Sequence, residues 1–199
     1  MKLPRENTQG TVSVEQAISQ RRPVRALSST PLDLHQLSQL LWAAQGLTKK
    51  GSRKRAAPSA GALYPMDVYI VVGQDSVAQL EAGIYCYEPK GHQLFQAFSG
   101  DMRGALSSAS LSQSWMAKAP VSIVITAEYR RAAVKYGKRA VRYAMIEAGH
   151  IGQNLFLQAE ALGLKAGIVG AFRDNEIIGV MKIPASHEPL LIVPIGYQA

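Results

Sequence analysis

Cysteine is almost missing from this chain. Cys86 is the only one, so no intrachain disulfide can staple the fold. It sits in "GIYCYEP", a strand-like stretch where a lone thiol reads as packing. No apolar run reaches the roughly 20 residues that a membrane helix needs. The N-terminal stretch "MKLPRENTQGTVSVEQAISQRR" lacks an apolar signal core, so a cytoplasmic location is the default expectation. There is no G-x-G-x-x-G after a strand and no G-x-x-x-x-G-K-[ST], which argues against a Rossmann dinucleotide and a P-loop nucleotide. A G-x-S-x-G hydrolase elbow is also missing. One cysteine and the scattered His35, His92, His150 and His187 do not make a zinc cluster, and no metal site is expected.

What is present suits one globular domain. The chain has 199 residues, 47% of them hydrophobic, which is enough for a fair-sized core. The net charge of +8 is concentrated: residues 1–55 hold ten Lys/Arg against three Asp/Glu, and the remainder is nearly balanced. That concentration suits an anionic partner, a phosphorylated small molecule or nucleic acid, or else a solvated basic face. A nucleic-acid module rests on charge alone, because no binding motif is present and aromatics are only 7%.

The periodicity predicts a short helix over 14–21 and a second opened by Pro31, with Leu34, Leu37, Leu40, Leu41 and Ala44 at helical spacing and Gly46 as its stop. "TKKGSRKR" is a polar loop. Strands are expected from Asp67 to Gly73, over 84–88 and 93–98 around the turn "PKGH", in "APVSIVITAEY", and in "PLLIVPIGY". Helical turns are expected over 101–110 and 174–181. The longest helix, 138–163, carries an apolar stripe of Val141, Met145, Ala148, Ile151, Leu155, Ala159 and Leu162. A second stripe, Glu147, His150, Asn154 and Gln158, is polar and must meet solvent, an interface or a ligand. A single Glu-x-x-His is too little for a di-iron site and suits polar contacts within the fold. The fold class expected is α+β: one domain with a central sheet, antiparallel or mixed, flanked by helices, and residues 1–13 as a flexible arm.

Three segments carry the chemistry. In "KRAAPSAGALYPMDVYIVVG" the chain sheds its side chains between two prolines, at Ser59, Ala60, Gly61 and Ala62. Such a loop lets backbone approach a flat ligand, and the prolines stiffen it. It could equally be a tight lead-in to a buried strand. "SQRRPVRAL" places Arg21, Arg22 and Arg25 within five residues, and guanidinium forks suit phosphate. "GIVGAF", residues 167–172, frees backbone N–H groups toward a ligand edge. Phosphate donors, a flat seat and ring-edge donors together meet the needs of flavin mononucleotide, FMN.

With "RRPVR", "PSAGALYP", "KYGKRAVRYAMIEAGHIGQNLFLQAEALGL", "GIVGAF" and "PLLIVPIGY" in this order, the chain resembles the FMN-dependent nitroreductase superfamily, more closely its SagB-type branch of azoline oxidases. The resemblance implies a homodimer with two FMN sites between subunits. It implies that Arg21, Arg22 and Arg25 reach the phosphate, ribityl chain and pyrimidine edge. It implies that Pro58, Ser59, Ala60, Gly61 and Leu63 lie over the flavin of the partner subunit, and that Val169, Gly170 and Ala171 offer a backbone donor near flavin N5. In the azoline oxidases a lysine and a tyrosine transfer protons, and Lys135 and Tyr136 match them; a helix-start lysine and a packing tyrosine are the alternative.

The sequence departs from the family pattern at Pro23, where a serine is usual, and at Ala62, where an asparagine is usual. It ends at Ala199 with no basic arm, so phosphate binding is expected to rest on the N-terminal arginines, with Arg142 as a further donor. The activity implied is hydride transfer from NAD(P)H or an organic donor to a small acceptor. The alternative is a SagB-type dehydrogenase of a peptide-derived heterocycle.

Overall fold

The computed structural model describes residues 1–49 and 51–199. Lys50, within the expected polar loop, lies outside the described residues. Six strands form one sheet: β1 (Met66–Val72), β2 (Gly83–Glu88), β3 (Gln93–Ser99), β4 (Val121–Ala127), β5 (Lys165–Ala166) and β6 (Glu188–Gly196), in the order β3-β2-β1-β4-β6-β5. Every pairing between these strands is antiparallel. The helices are α1 (Val14–Gln20), α2 (Leu34–Gln45), α3 (Arg103–Ala109), α4 (Arg130–Tyr136), α5 (Arg139–Ala161) and α6 (Asp174–Met181).

The central strands read as unbroken apolar runs because both faces of the sheet are covered. On β1, Val68, Ile70 and Val72 point to one face, where α2 and α5 supply Leu37, Leu40, Leu41, Ile151 and Leu155. Tyr69 and Val71 point to the other, against Leu106 of α3 and Ile177 and Met181 of α6. Each fully buried leucine of this kind contributes about 1.5–3 kcal/mol relative to exposure.

Several expected boundaries shift for local reasons. Pro31 does not open α2. Asp33 does, with a capping box in which its carboxylate accepts from Gln36 N at 2.7 Å while Gln36 Oε1 accepts from Asp33 N at 3.1 Å. Leu32 instead adds a bridge to Val77. α4 was not expected, because "RRAAVKY" buries only Ala132 and leaves Val134 exposed, so it has no apolar stripe. "KAGIVGAF" forms only the two-residue β5 and an isolated bridge at Val169. The segment expected as a flexible arm begins along the sheet edge: the Met1 ammonium donates to Leu94 O at 2.6 Å, Leu3 N donates to His92 O at 3.0 Å, and Leu3 is buried.

α5 positions the site. Its buried side in the first turns is Ala140, Ala144 and Ala148, whose small side chains let the helix sit close to the body. Val141 and Met145, placed in the apolar stripe by periodicity, are exposed, as is Ile146. The polar stripe turns inward toward α2. Gln45 Nε2 donates to Glu147 Oε1 (3.1 Å), Asn154 Nδ2 to Ala43 O (2.9 Å), and Gln39 Nε2 to Gln158 Oε1 (3.1 Å). Three of its four residues are thus satisfied within the fold, and His150 stays exposed.

Candidate active site

The small-residue loop is a closed, strained unit. After Pro58 a single 3-10 turn covers Ala60–Ala62. Gly61 has φ +61°, and Ala62 and Tyr64 also have positive φ, at +52° and +49°. Non-glycine residues in this region cost of order 1–3 kcal/mol each and persist where their surroundings enforce them. Here the enforcement is visible. Ser59 Oγ accepts from Tyr64 N at 2.9 Å, so the hydroxyl ties the loop rather than pointing free. Tyr64 Oη accepts from Arg55 N at 3.2 Å, and the Arg55 guanidinium stacks 4.3 Å over the Tyr64 ring.

Gly61 is favoured by its positive φ and also lies close to two side-chain ends. A Cβ there would lie 2.7 Å from Tyr136 Oη and 3.3 Å from Lys135 Nζ. The fold therefore brings Lys135 and Tyr136, the expected proton-transfer pair, directly onto the small-residue loop. Lys135 Nζ lies 5.4 Å from the Tyr136 ring centre, and Tyr136 meets Tyr143 edge-on at 5.0 Å. The loop's other flank, Pro58, Ser59 and Ala60, shares a depression with Tyr143, Ile146, Glu147 and His150 of α5.

The second group lies farther along α5. Arg21 places its guanidinium 5.5 Å from the centre of the Phe156 ring. Arg22 Nη1 donates to Ser19 O (3.0 Å) and Arg21 O (2.7 Å), closing the end of α1. Arg25 is exposed. Pro23 bridges to Ala166, and Val24 N donates to Ala166 O at 2.9 Å, which fixes the arginine segment beside β5. Gly167 admits no side chain, because a Cβ would meet Trp115 and the Val24 carbonyl. The Val169 N–H is taken by Ile192 O at 2.8 Å. The ring-edge donor expected from residues 169–171 is therefore left to Gly170 and Ala171, whose N–H groups make no hydrogen bond among the described residues. A Cβ at Gly170 would meet nothing within 4 Å.

Among the described residues no group of three or more His, Cys, Asp or Glu could hold a metal, and no helix is long and apolar enough to cross a membrane. A model of the Nitroreductase family matches residues 18–197. The chain belongs to the nitroreductase family.

Among its relatives is MJ1384, a nitroreductase-family protein of Methanocaldococcus jannaschii, 40% identical over 185 residues, with 93% of this chain and 91% of that protein covered. The Microcin B17-processing protein McbC of Escherichia coli is 28% identical over 165 residues, covering 81% of this chain and 61% of McbC. A crystal structure of a nitroreductase-family protein from Ralstonia eutropha superposes with a TM-score of 0.88 at 28% identity, over 100% of this chain and 89% of that one.

The family match spans both groups of this nitroreductase-family oxidoreductase, from Arg21 to Ala171. Sequence reasoning missed the link beneath the loop: Arg55 Nη1 donates to Gln45 Oε1 (3.2 Å), and Gln45 Nε2 to buried Glu147. The lone signal was the basic lead-in "KR" to the loop, which periodicity does not interpret. Burial raises the Glu147 carboxyl above its ordinary value of 4.5, opposed by Ser59, Gln45 and the Arg55 charge. A folded value above the unfolded one means that Glu147 favours folding most below about pH 4.5 and loses that contribution as pH rises through the folded value. Glu147→Gln is expected to gain thermal stability relative to wild type between about pH 4 and pH 8. Melting curves across that range check it, and a difference independent of pH would contradict it.

Proposed function

We propose that the protein is an FMN-dependent oxidoreductase acting as a homodimer, with each FMN held between two subunits. One observation carries the reading: the two ligand-fitted groups sit apart on one chain. Glu147, beside the small-residue loop, and Phe156, beneath Arg21, are separated along α5 by about 13 Å at 1.5 Å per residue. Between and around them α5 and its neighbours expose Val141, Met145, Ile146, Val14, Ile18 and Ile168. An apolar surface of this kind suits a protein interface, and a second copy would supply the loop that each arginine group lacks.

The residues fit the cofactor. Arg21, Arg22 and Arg25 form no ion pair among the described residues, so their charge is available to a phosphate. The open backbone of Gly170 and Ala171 suits a ring edge, and Gly61 gives a surface without side chains. Bound FMN supplies reversible two-electron chemistry. The chain's own part is placement. The arginines hold the phosphate, ribityl chain and pyrimidine edge. Pro58, Ser59, Ala60, Gly61 and Leu63 border the flavin bound by the partner subunit and exclude water from it. A guanidinium near the N1/O2 edge favours negative charge there. NAD(P)H or an organic molecule is the donor and a small molecule the acceptor, and the reaction takes place in the cytoplasm.

A second reading has its own support. McbC and the Trifolitoxin-processing protein TfxB of Rhizobium leguminosarum, 32% identical over 115 residues that cover 56% of this chain and 31% of TfxB, are relatives named as processing proteins. Lys135 and Tyr136 meet at Gly61, where they could move a proton to or from a heterocyclic substrate. That reading is a SagB-type dehydrogenase of a peptide-derived heterocycle.

Pure protein is expected to be yellow, and anaerobic NADH or NADPH is expected to bleach it. Bleaching only by a peptide-derived heterocycle favours the second reading, and colourless protein that takes up no FMN overturns both. Sedimentation at micromolar concentration is expected to show a dimer. A monomer with FMN bound would refute the shared site.

A further inference from the structure

The small-residue loop has a second side. Ala62, Leu63 and Tyr64 wall a cavity of about 830 Å³ whose other charged residues are Arg53, Arg55, Glu88, Lys90 and Arg131. This size lies within the range of small-molecule sites. A cavity of equal volume elsewhere, under Gln74 and Ala78, has only Asp75 and Glu81 as charged residues. Charge, rather than volume, singles out the cavity beside the loop.

The cations there are unequally committed. Arg131 is neutralised by a two-pronged pair with Asp67, at 2.7 and 2.8 Å. Glu88 is engaged by the N–H groups of Lys90 (2.7 Å) and Gly91 (2.6 Å) and by Gln93 Nε2 (3.3 Å). Arg53, Arg55 and Lys90 form no ion pair among the described residues. Arg55 is partly buried, stacked on Tyr64, and spends one nitrogen on the neutral Gln45. Burial lowers the pKa of this guanidinium, and the charges of Glu147 and Asp67 oppose that from beyond ion-pair distance, so no carboxylate among the described residues contacts it directly. An anion entering the cavity would supply that direct partner.

We propose that this cavity binds the anionic group, phosphate or carboxylate, of a small molecule that reacts at the other side of the loop. The proposal rests on the oxidoreductase reading above and gives its substrate a charge. Arg55 supplies the fixed fork, and Arg53 and Lys90 supply mobile charge at the rim. The connection to the loop is direct. The Arg55 backbone is held by Tyr64 Oη, and Tyr64 N by Ser59 Oγ, so an anion on Arg55 grips the same residues that border the ring. The anion could belong to the electron donor, as a nucleotide phosphate, or to the acceptor.

Titration of FMN-treated protein with inorganic pyrophosphate reads the cavity without turnover. One saturable site per chain is expected. Its affinity should fall about tenfold or more in Arg53→Gln/Lys90→Gln and in Arg55→Gln, and should not depend on Arg21. The rim pair covers the case in which Arg55→Gln disturbs the loop. FMN content measured on the same samples reports the oxidoreductase reading separately. Steady-state assays then name the source, by comparing KM for NADPH with that for uncharged 1-benzyl-1,4-dihydronicotinamide, and for 4-nitrobenzoate with that for nitrobenzene. In Arg53→Gln/Lys90→Gln the charged-to-uncharged ratio should rise about tenfold in one pair, which assigns the anion to donor or acceptor. Unchanged ratios in both pairs, or pyrophosphate bound equally by wild type and variants, would overturn the proposal.

Discussion

Gly61→Val and Ala60→Trp are expected to give folded protein without flavin. At Gly61 the cause is double. A β-branched residue is a poor fit to φ +61°, and its Cβ would press Tyr136 Oη and Lys135 Nζ out of place. The backbone term is about 1–3 kcal/mol, a fraction of the roughly 5–15 kcal/mol that holds a domain together. The fold should therefore survive while the loop surface is rebuilt. At Ala60 the indole would occupy the depression shared with Tyr143, Glu147 and His150. Flavin released on denaturation, measured beside a circular dichroism spectrum, decides it. Normal flavin content in a folded variant would make the loop a lead-in to β1 and nothing more.

Ala62 and Tyr64 both have positive φ. Positive φ also occurs at non-glycine residues of other turns, such as Leu111 and Ser112, so what distinguishes this loop is the set of contacts that hold it. Here Ser59 Oγ and Arg55 N hold Tyr64, and the Ser59 carbonyl accepts from Ala62 N at 3.0 Å. A loop held by such contacts before any ligand arrives loses less entropy at binding.

How far the sequence disclosed this depends on the length of each signal. β1, β4 and β6 were legible as apolar runs, and α6 was found over its full extent, 174–181, from local pattern. α5 was legible as a helix but not in its orientation. Val141 and Met145 outrank Ala140 and Ala144 on any hydrophobicity scale, yet the alanines face inward because only a small side chain allows close approach. Hydrophobicity alone does not say whether an apolar residue meets its own core or a second chain. α4 gave no signal, since its one buried side chain is Ala132.

The same limit applies to the site. The loop and the arginines were legible because composition and clustering are local. The contact of Gly61 with Lys135 and Tyr136, and the chain from Arg55 through Gln45 to Glu147, join residues distant in sequence, and only the packing of α2, α4 and α5 brings them together. The basic excess of residues 1–55 likewise looked like one feature. In the fold Arg21 lies beside Phe156 and Arg55 beside Tyr64, two separate charges with separate uses.

Arg21→Ala is expected to weaken FMN far more than riboflavin, which lacks the phosphate. Charge-assisted hydrogen bonds contribute about 1.5–3 kcal/mol each, so loss of one should lower FMN affinity roughly tenfold to hundredfold. The three arginines are not equivalent. Arg22 also closes α1 through the Ser19 and Arg21 carbonyls, so Arg22→Ala should lower stability as well. Arg25 is exposed and makes no ion pair among the described residues, so Arg25→Ala should act on the ligand alone. Arg21 rests on Phe156, a contact that a lysine ammonium would make less well, and a point charge cannot form the two-pronged phosphate contact. Arg21→Lys should therefore recover only part of the loss. Titrating apoproteins of Arg21→Ala, Arg21→Lys and Arg25→Ala with both flavins separates the roles. Equal weakening of FMN and riboflavin, or none, would mean that these arginines serve α1 and Phe156 rather than a phosphate, and the anion site would then have to lie elsewhere on the chain.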